Sequence, residues 1–558
     1  MVLSYLQYRR NLGKKRQERD EHINTFLNKY TDQSLEDGDK TILAASVATV
    51  VSFVHQGIWT PRDVLGVYGR KALAVHTEVN CLTEIMLNDA ERWAADIEAN
   101  ETKRRGPLAG MPVSLKDTIA VAGYDATCGY AAWAGKPIKD DSPLVRLLRD
   151  AGAILYVKTS IPTTLLSFES YSGLFGRTLN PHNKKYSPGG SSGGEAALLA
   201  AGGSRIGIGT DVAGSVRVPA HYSGVYSIRA SSKRFPIAGN VSSMPGQEGV
   251  PAICSPMTRT LEDLETFWEA VFRMEPWKYD HSVLNMPWKP YELVGKLKIG
   301  VMWDDGVVPL TPACRRALVT VVEDLKQDGH EIIDFIPPSP VEGLEIASKL
   351  LLADGGKTVL KPLLAGEPND PGVSSAANWF RLPRIAQHLF TLYTRYIRRD
   401  VIYAYLMTGF HKQSVDGLYE LAKRREGYRA RWHDAWNDAG LDFLITAPNA
   451  LPAVPHEGMR TDWRACGYTF LFNLIDYTAG VMPITKVSAE TDVLSPETRR
   501  ELTNSIARDA YKHYDAAKMD GLPVGVQIIG RRLEEEKVLA GMKLIKRLSR
   551  SPYELLGY

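Results

Sequence analysis

Two serine-containing glycine turns lie close together in the stretch Ser187–Ala220, which reads SPGGSSGGEAALLAAGGSRIGIGTDVAGSVRVPA. The first turn runs from Gly189 to Gly194 and the second from Asp211 to Ser215, with an apolar helix pattern and an apolar strand pattern between them. Attack on a carbonyl group requires a nucleophile, a base that accepts its proton, and hydrogen-bond donors for the oxyanion. A glycine turn that follows a strand can aim several backbone N–H groups at one point. Ser215 is therefore a candidate nucleophile.

Charged residues around and before the second turn could support this chemistry. Asp211 and Arg217 flank Ser215, and a charge-assisted pair between them could fix the turn. Lys116 lies in Gly110–Val121, where apolar residues alternate around it, so the pattern predicts a strand. Taken alone, Ser215 is better interpreted as an ordinary turn serine, because serine next to glycine is common; this changes only when both turns and Lys116 are considered together.

The first glycine turn has three other interpretations. Gly189–Gly193 matches G-x-S-x-G, the nucleophile elbow of α/β-hydrolases, but that motif requires a strand directly before it and Lys184–Pro188 has no strand pattern. A phosphate-binding loop is a second interpretation, because a glycine turn opens a helix, although no Lys-Ser/Thr pair follows it and no G-x-G-x-x-G follows a strand. Third, Ser192 and Glu195 fit a capping box for a helix over 195–201.

The composition and charge of the chain narrow the classes of function. Its 558 residues are 44% apolar and 23% charged, as in ordinary globular proteins, and 67 basic against 64 acidic residues give a formal net charge of +3. This balance argues against a nucleic-acid partner, which would require a basic face. The five cysteines are far apart and have no zinc spacing, which predicts a reducing, cytoplasmic compartment with neither a disulfide framework nor a metal site.

The N-terminal region carries no pattern of a signal peptide or a membrane span. The basic residues Arg9–Arg10 and Lys14–Arg16 are not followed by an apolar core with a cleavage site. The apolar run Ile42–Val54 has 13 residues and is too short to cross a bilayer. We therefore predict no transmembrane segment, and we interpret the basic run as the solvated face of a helix.

Alternating helix and strand patterns predict an α/β layered fold. The predicted helices are Arg16–Tyr30, Lys40–Val54, Arg62–Asn80 (capped by Thr60), Leu82–Asn100, Ser142–Ala151, Leu261–Phe272, Cys314–Gln327 and Glu534–Ser549. Besides the strand with Lys116, the predicted strands are Ala153–Lys158, Arg205–Gly209, Lys296–Met302, Glu331–Ile336, Leu441–Ala447 and Pro523–Ile529. We predict an N-terminal helical segment over 1–60 and one large domain over 61–558, in which the helix-rich block 375–438 is an insertion.

Taken together, the two turns and Lys116 resemble the signature of the amidase signature family. That signature consists of a lysine strand, a G-G-S-S-G-G turn and a D-x-[GA]-G-S-[IV]-R turn. The chain has Lys116 within VSLKD, then Gly189–Gly194, then Asp211–Arg217. The two serines of the family lie 24 positions apart, a spacing that selects Ser191, not its neighbour, as the partner of Ser215.

Within the family, the chain is most similar to the fungal acetamidase-type members. The segments Glu275–Asp280 (EPWKYD) and Gly246–Glu248 (GQE) carry this likeness. The resemblance covers most of the chain, from about Thr60 to Gly525–Arg532. Eukaryotic fatty acid amide hydrolases are more distantly similar and share the 99-residue spacing between the lysine and the nucleophile.

The resemblance implies an amide hydrolase with a Ser–cis-Ser–Lys triad, built on a large mixed β-sheet sandwiched between helices (α/β/α). Ser215 would attack the amide carbonyl and form an acyl-enzyme, and Ser191 would relay the proton to the leaving amine. Lys116 would be the base, which requires burial to lower its pKa from about 10.4 by several units. The family holds the bridging serine after a cis peptide bond. The resemblance implies no cofactor and no metal.

We also predict groups that support the site, and the chain departs from the family pattern at two places. Ser192, Asp211 and Arg217 would support the site, and the oxyanion hole would consist of the N–H groups of Val212, Ala213, Gly214 and Ser215. Ala213 stands where many members have glycine, which is compatible with function as long as its φ is not positive. Ser227–Ser231 lacks the glycine and proline of the family's supporting loop, which puts the geometry of that loop in question.

The substrate side is predicted from position alone. Leu165, Leu166 and Phe168 correspond to a loop that contacts the acyl group in fatty acid amide hydrolases, so an apolar or aromatic acyl group would fit; the other interpretation is that they are core residues. Cys128 could lie near the site or be a small buried residue. We expect a small-molecule amide as the partner and leave a homodimer open. The alternatives are a subunit of a tRNA-dependent amidotransferase, an esterase, and a catalytically silent binding protein of the same fold.

Overall fold

One large β-sheet forms the core of the fold. The computed structural model describes residues 1–29, 37–408, 410–462, 464–549 and 553–557. Its strands are β1 (Leu82–Ile85), β2 (Pro112–Lys116), β3 (Ile154–Thr159), β4 (Tyr171–Ser172), β5 (Gly176–Arg177), β6 (Ile206–Asp211), β7 (Tyr226–Arg229), β8 (Ile253–Thr258), β9 (Lys298–Val301), β10 (Glu331–Asp334), β11 (Phe443–Thr446), β12 (Ala479–Lys486) and β13 (Pro523–Ile529). Within the described ranges, eleven strands form the sheet in the order β1-β3-β2-β6-β8-β7-β12-β13-β11-β9-β10, and β4 and β5 form a separate hairpin.

Helices surround this sheet. They are α1 (Val2–Lys29), α2 (Asp37–Ala44), α3 (Val47–His55), α4 (Pro61–Val79), α5 (Leu87–Ala99), α6 (Glu101–Arg104), α7 (Pro143–Asp150), α8 (Gly193–Ala200), α9 (Arg217–Ser223), α10 (Leu261–Arg273), α11 (Pro312–Gln327), α12 (Pro340–Leu351), α13 (Lys357–Leu360), α14 (Pro371–Arg381), α15 (Arg384–Leu392), α16 (Val401–Met407), α17 (Val415–Ala439), α18 (Met459–Asp462), α19 (Gly467–Ile475), α20 (Pro496–Arg500), α21 (Ser505–Tyr511), α22 (Ala516–Met519) and α23 (Glu535–Leu548). Two 3₁₀ segments lie at Ala131–Trp133 and Pro276–Lys278, and a π-helical turn lies at Tyr393–Ile397.

Parallel pairing brings Lys116 next to the second glycine turn. β2 lies between β3 and β6 and is parallel to both, with Leu115 opposite Ile208 on β6. The carboxyl ends of parallel strands meet at one edge of a sheet, where ligand sites are common. Lys116 at the end of β2 and Asp211 at the end of β6 therefore lie at the same edge. α8 begins directly after the first glycine turn and packs against β2 and β6.

The burial of the strands shows that both faces of the sheet are covered. Every residue of β2, β3, β8 and β13 is buried, although successive residues of a strand point to opposite faces. The strands of the triplets β3–β2–β6 and β11–β9–β10 are parallel, whereas β1 is antiparallel to β3 and the central strands from β6 to β11 are antiparallel to their neighbours. The predicted α/β fold with a large mixed sheet between helices is confirmed.

Most of the predicted elements are present. α4 begins at Pro61 with both halves of a capping box between Thr60 and Asp63, and β13 has the predicted bounds. The helix predicted over Arg16–Tyr30 is the second half of α1, and Tyr30 lies outside the described residues. The sequence patterns do not predict β7, β8 and β12.

Two of the predicted helices are wrong in part. Leu82–Asn100 forms β1 and then α5, because the first four residues pair with β3, where Glu84 lies opposite Lys158. Lys40–Val54 belongs to the two helices α2 and α3, because Ser46 interrupts the run and caps α3 by accepting a hydrogen bond from Thr49 N.

The interpretation of the N-terminal basic run as a solvated face is wrong for Lys15. Its side chain is buried and its Nζ lies 2.5 Å from Glu84 Oε1 and 3.0 Å from Asp125 Oδ2. The other four basic residues of the run, Arg9, Arg10, Lys14 and Arg16, are exposed. The buried carboxylates of Glu84 and Asp125 require a cation nearby, and α1 supplies Lys15.

The helix-rich block predicted over 375–438 consists of α14 to α17 together with the π-helical turn, and its described residues contain no strand. Its status as an insertion stays a prediction. None of the helices within the described ranges is both long enough and apolar enough to cross a membrane.

Candidate active site

Lys116 is surrounded by oxygen atoms in a fully buried position at the end of β2. Its Nζ lies 2.7 Å from Ser191 Oγ, 2.9 Å from Ser192 Oγ, 2.8 Å from Thr210 Oγ1 and 3.3 Å from Thr210 O. Burial lowers the pKa of Lys116 to about 7, against the opposing effect of the Asp211 carboxylate. A neutral amine has two N–H donors and one lone pair, so it can accept a hydrogen bond from one of these hydroxyl groups.

The first glycine turn places two serine hydroxyls on this lysine. The peptide bond between Gly190 and Ser191 is cis, as the resemblance implies. The segment before the turn forms no strand, so the nucleophile-elbow interpretation fails in the structure as well. Both Ser191 and Ser192 are buried.

The capping-box interpretation of Ser192 is wrong. Its side chain makes no cap hydrogen bond to α8; its Oγ accepts from Lys116 Nζ and, at 3.3 Å, from Thr210 N. The side chain of Glu195 likewise turns away from the helix terminus. One N–H group of the first turn of α8, that of Gly194, donates to Ser160 O instead. The local motif is overridden because the helix terminus is buried against other elements of the fold.

A bidentate ion pair fixes the second glycine turn. Arg217 Nε lies 3.1 Å from Asp211 Oδ2, and Arg217 Nη2 lies 3.1 Å from Asp211 Oδ1, with both side chains fully buried. The carboxylate also accepts from Gly214 N at 2.8 Å and from Val216 N at 3.1 Å. Burial alone would raise the pKa of Asp211, but the Arg217 guanidinium and these hydrogen bonds hold it well below its ordinary value. The predicted pair is present.

Two residues of α19 bind the Asp211–Arg217 pair, and neither is predicted from the sequence. Asn473 Nδ2 donates to Asp211 Oδ1 at 2.8 Å, and Arg217 Nη1 donates to Thr469 O at 3.0 Å. Thr469 Oγ1 donates to Ala213 O at 2.7 Å and so holds the turn directly. The available signal is the presence of polar residues in the otherwise apolar helix GYTFLFNLI, since a buried polar side chain must find a partner.

Among the described residues, three of the four N–H groups predicted for the oxyanion hole have no hydrogen-bond partner. Gly214 N donates to Asp211, whereas the N–H groups of Val212, Ala213 and Ser215 have no hydrogen-bond partner among the described residues. Ala213 does not have a positive φ, which meets the condition set by its replacement of glycine. Gly214 has a φ of +127°, and a Cβ there would collide with Thr469 Oγ1.

The hydroxyl group of Ser215 makes no hydrogen bond to Lys116 or to the hydroxyl groups of Ser191 and Ser192, although its backbone is joined to the first glycine turn. Its carbonyl oxygen accepts from Ser192 N at 3.1 Å, which joins the two glycine turns. Ser191 and Ser215 line the same cavity, but no hydrogen bond links their hydroxyl groups. Apo sites often show loose catalytic hydrogen bonds that tighten when substrate binds.

Two cavities meet at Ser215 and differ in character. The first, of about 1070 Å³ including space open to solvent, is mainly apolar and is walled by α12, α14, α16 and α19; its residues include Leu344, Leu351, Val373, Phe380, Leu406, Phe410 and Phe470. The second, of about 1030 Å³ on the same measure, is lined by more polar residues, among them Thr210, Asn240, Ser242, Ser243 and Gln247. The nucleophile candidate therefore lies between an apolar and a polar compartment.

The three predicted substrate-contact residues lie at these cavities. Leu165 and Leu166 line both cavities and are half-buried, and Phe168 is buried and lines the apolar one. Phe168 is also part of the main hydrophobic core, so the core interpretation holds for it at the same time. Leu165 has a φ of +67°, an uncommon conformation for a residue with a side chain and one that recurs at functional sites.

Cys128 and the segment Ser227–Ser231 have structural roles. Cys128 is buried, its N–H donates to Asp117 Oδ2 at 2.8 Å, and it lines neither of the two cavities, which fits a small buried residue. Without the family's glycine and proline, the first three residues of Ser227–Ser231 belong to β7, and Arg229 pairs with Asp476 at 2.9 Å. In the part of the chain that the structure describes, no group of three or more His, Cys, Asp or Glu side chains is arranged to hold a metal ion.

Comparison with known proteins identifies the family to which this chain belongs. The Amidase family model matches residues 63–539. The chain belongs to the amidase family. An acetamidase of Emericella nidulans is 34% identical over 521 residues, which cover 91% of this chain and 89% of that protein. Fatty-acid amide hydrolase 1 of Sus scrofa is 32% identical over 515 residues, which cover 91% of this chain and 86% of that protein.

The solved structures agree with this membership. The structure of a fatty acid amide hydrolase superposes with a TM-score of 0.86 at 28% sequence identity and covers 98% of this chain and 96% of that one. The predicted resemblance is therefore confirmed at the level of the family and the fold. The chain is a hydrolase that acts on amide bonds.

Proposed function

We propose that this amidase cleaves a carboxylic amide through a serine acyl-enzyme, with Ser215 as nucleophile, Ser191 as bridge and Lys116 as base. The observation that carries the proposal is the buried Lys116 Nζ, 2.7 Å from Ser191 Oγ, with a pKa lowered to about 7. At neutral pH a large fraction of this lysine is uncharged and able to accept a proton, which an ordinary exposed lysine is not.

In the proposed acylation step, the Ser215 hydroxyl rotates onto Ser191. Ser215 Oγ attacks the carbonyl carbon while its proton passes to Ser191 and the Ser191 proton passes to Lys116. The oxyanion accepts hydrogen bonds from the N–H groups of Val212, Ala213 and Ser215. These groups have no hydrogen-bond partner among the described residues. Loss of one such donor typically raises the barrier by about 2.7–4 kcal/mol.

Collapse of the tetrahedral intermediate breaks the C–N bond. The proton returns from Lys116 through Ser191 to the leaving nitrogen, so ammonia or an amine departs and an ester on Ser215 remains. Water then attacks this ester, with the relay accepting the water proton and returning a proton to Ser215 Oγ. The Asp211–Arg217 pair and α19 hold the turn in place during both steps.

The cavities support an amide with an apolar acyl group. The compartment beside Leu166 and Phe168 is lined mainly by leucine, valine and phenylalanine side chains, whereas the leaving nitrogen would face the polar compartment. Each methylene buried there is worth about 0.8 kcal/mol, or about fourfold in kcat/KM, until the cavity is full. The lining favours a larger acyl group than acetyl.

A panel of primary and substituted amides, from acetamide to long-chain and aryl amides, tests the proposal together with a fluorophosphonate probe. We expect the probe to label Ser215 and kcat/KM to rise with acyl length. Labelling at Ser191 or Ser192 would contradict the assigned nucleophile, and absence of labelling would favour the catalytically silent binding protein. Hydrolysis of esters with no turnover of amides would favour the esterase alternative.

A further inference from the structure

The buried side chain of Glu195 on α8 contacts the two neighbouring strands β2 and β3. It is the third residue of α8, directly after the Ser191–Ser192 turn, and its side chain has no exposed surface. Its Oε2 lies 2.6 Å from Ser114 Oγ and its Oε1 lies 2.9 Å from Thr159 Oγ1. Ser114 lies on β2 two residues before Lys116, and Thr159 ends the neighbouring strand β3. One side chain thus ties the serine turn to the lysine strand.

The space for this carboxyl group is provided by a glycine. Gly207 on β6 lies opposite Ser114 in the strand register, and a Cβ at that position would collide with Glu195 Oε2. The carboxyl group therefore occupies a fixed place against the sheet, and its distance from the lysine strand is set by close packing on both sides.

The hydrogen bonds around Glu195 fit an uncharged acid. Its two hydrogen-bond partners are neutral hydroxyl groups, and no cation within the described residues lies at ion-pair distance from it. With an ionised carboxylate, both hydroxyl groups would donate to Glu195. With an uncharged acid, Oε2–H donates to Ser114 Oγ, which in turn donates to Ser204 Oγ at 3.1 Å or to Ile206 O at 3.2 Å, while Oε1 still accepts from Thr159. An ionised carboxylate buried without a cation is strongly unfavourable. Burial accordingly raises the pKa of Glu195 to about 8.

We propose that Glu195 is a positioning residue that acts as an uncharged carboxylic acid, holding Lys116 against the Ser191–Ser192 turn without placing a negative charge beside the lysine. This inference rests on the proposed role of Lys116 as base. A carboxylate at this place would stabilise the lysine cation and so raise the pH needed for activity.

The other titratable groups described near Lys116 and Glu195 are either ion-paired or uncharged near neutral pH. Around Lys116, the Asp211 carboxylate is paired with Arg217, and burial raises the pKa of the Cys128 and Cys254 thiols, so both stay uncharged. Around Glu195, besides Lys116, burial raises the pKa of Cys81 and of Tyr156, which are therefore also uncharged near neutral pH.

Glu195→Gln tests the charge state, because glutamine keeps both hydrogen bonds and cannot ionise. We expect kcat/KM within about threefold of the wild type and an acidic limb of the pH profile that moves by less than about 0.3 pH unit. If the wild-type group were charged, its removal would lower the pKa of Lys116 and move the limb to lower pH by about one unit or more. That shift, or an E195Q protein that fails to fold, would overturn the proposal.

Glu195→Leu tests the positioning role. Loss of both hydrogen bonds should lower kcat by about 100-fold with KM within about twofold, because small misplacements of catalytic groups cost about this much. Asp263→Asn is the matched control: Asp263 is another fully buried carboxyl group, paired with Arg205 at 2.8 Å and away from both cavities. D263N should lower Tm and leave kcat and the pH limb unchanged. If E195L behaves like D263N, the group is merely structural.

Fluorophosphonate labelling separates this inference from the proposed function. An unlabelled wild-type protein would contradict the proposed function itself. A wild-type protein labelled at Ser215, combined with a shifted pH limb of labelling in E195Q, would contradict only the role assigned to Glu195.

Discussion

Acidification below pH 7 should switch off this enzyme by protonating one buried lysine. In the proposed mechanism the active form carries a neutral Lys116, so activity should rise with pH through the pKa of this residue and then reach a plateau. Burial at the end of β2 lowers that pKa. The Asp211 carboxylate opposes this effect, but Arg217 largely balances its charge.

The size of the effect follows from the pKa of Lys116, about 7. About half of the molecules carry the neutral lysine at pH 7, about one in ten at pH 6 and about one in a hundred at pH 5. An exposed lysine, with a pKa of about 10.4, would be neutral in only about one molecule in 2500 at pH 7. Burial therefore increases the active fraction at neutral pH by about three orders of magnitude.

The assay is kcat/KM for an uncharged amide between pH 5 and pH 9, together with the rate of fluorophosphonate labelling of Ser215 over the same range. Both should fall tenfold per unit on the acidic side, with one common midpoint. Lys158→Met is the matched control, since Lys158 is also fully buried, on the adjacent strand β3, and lines neither cavity. That variant should lose stability and keep the limb. A flat profile, or a midpoint near 10, would refute the role of Lys116.

Three substitutions test the remaining parts of the site. Ser215→Ala should abolish labelling and acyl-enzyme formation with little change in Tm, because a small side chain is replaced by a smaller one; residual labelling would show a different nucleophile. Lys116→Ala should reduce amide turnover by about 10²–10⁴-fold and ester turnover less, because an amine leaving group requires the returned proton; equal losses would count against the relay. Arg217→Met leaves the buried Asp211 carboxylate without its cation and should lower the free energy of unfolding by about 3–5 kcal/mol, as measured by urea denaturation; an unchanged midpoint would contradict the bracing role of the pair.

The proposed catalytic residues are predicted from sequence because their motifs are local. The two glycine turns are contiguous, and Lys116 lies on a strand with a clear alternating pattern, so their positions follow from a few short segments. The same locality explains the error at Ser192. Its spacing to Glu195 fits a capping box, but the hydroxyl bonds to Lys116, which lies 76 positions away in the chain.

The residues that hold the site were not predictable in this way. Asn473 bonds to Asp211 across 262 positions, and a lone asparagine in an apolar helix does not indicate which partner it will find. The unpredicted strands have weak local patterns for a physical reason: β8 contains Pro256 and β12 contains Gly480 and Pro483, residue types that strands usually avoid. Pairing with neighbouring strands, not propensity, makes them strands.

The strand order has a consequence for the synthesis of the protein. β12 and β13, among the last elements of the chain, lie in the middle of the sheet between β7 and β11, and α19, which precedes them, braces the turn that holds Ser215. Before β12 and β13 have emerged, the facing edges of β7 and β11 have no partner strand, and before α19 has emerged the second glycine turn lacks its hydrogen bonds to Thr469 and Asn473. If Ser215 is the nucleophile, as proposed, its turn is translated early but gains the support of α19 only after most of the chain has left the ribosome.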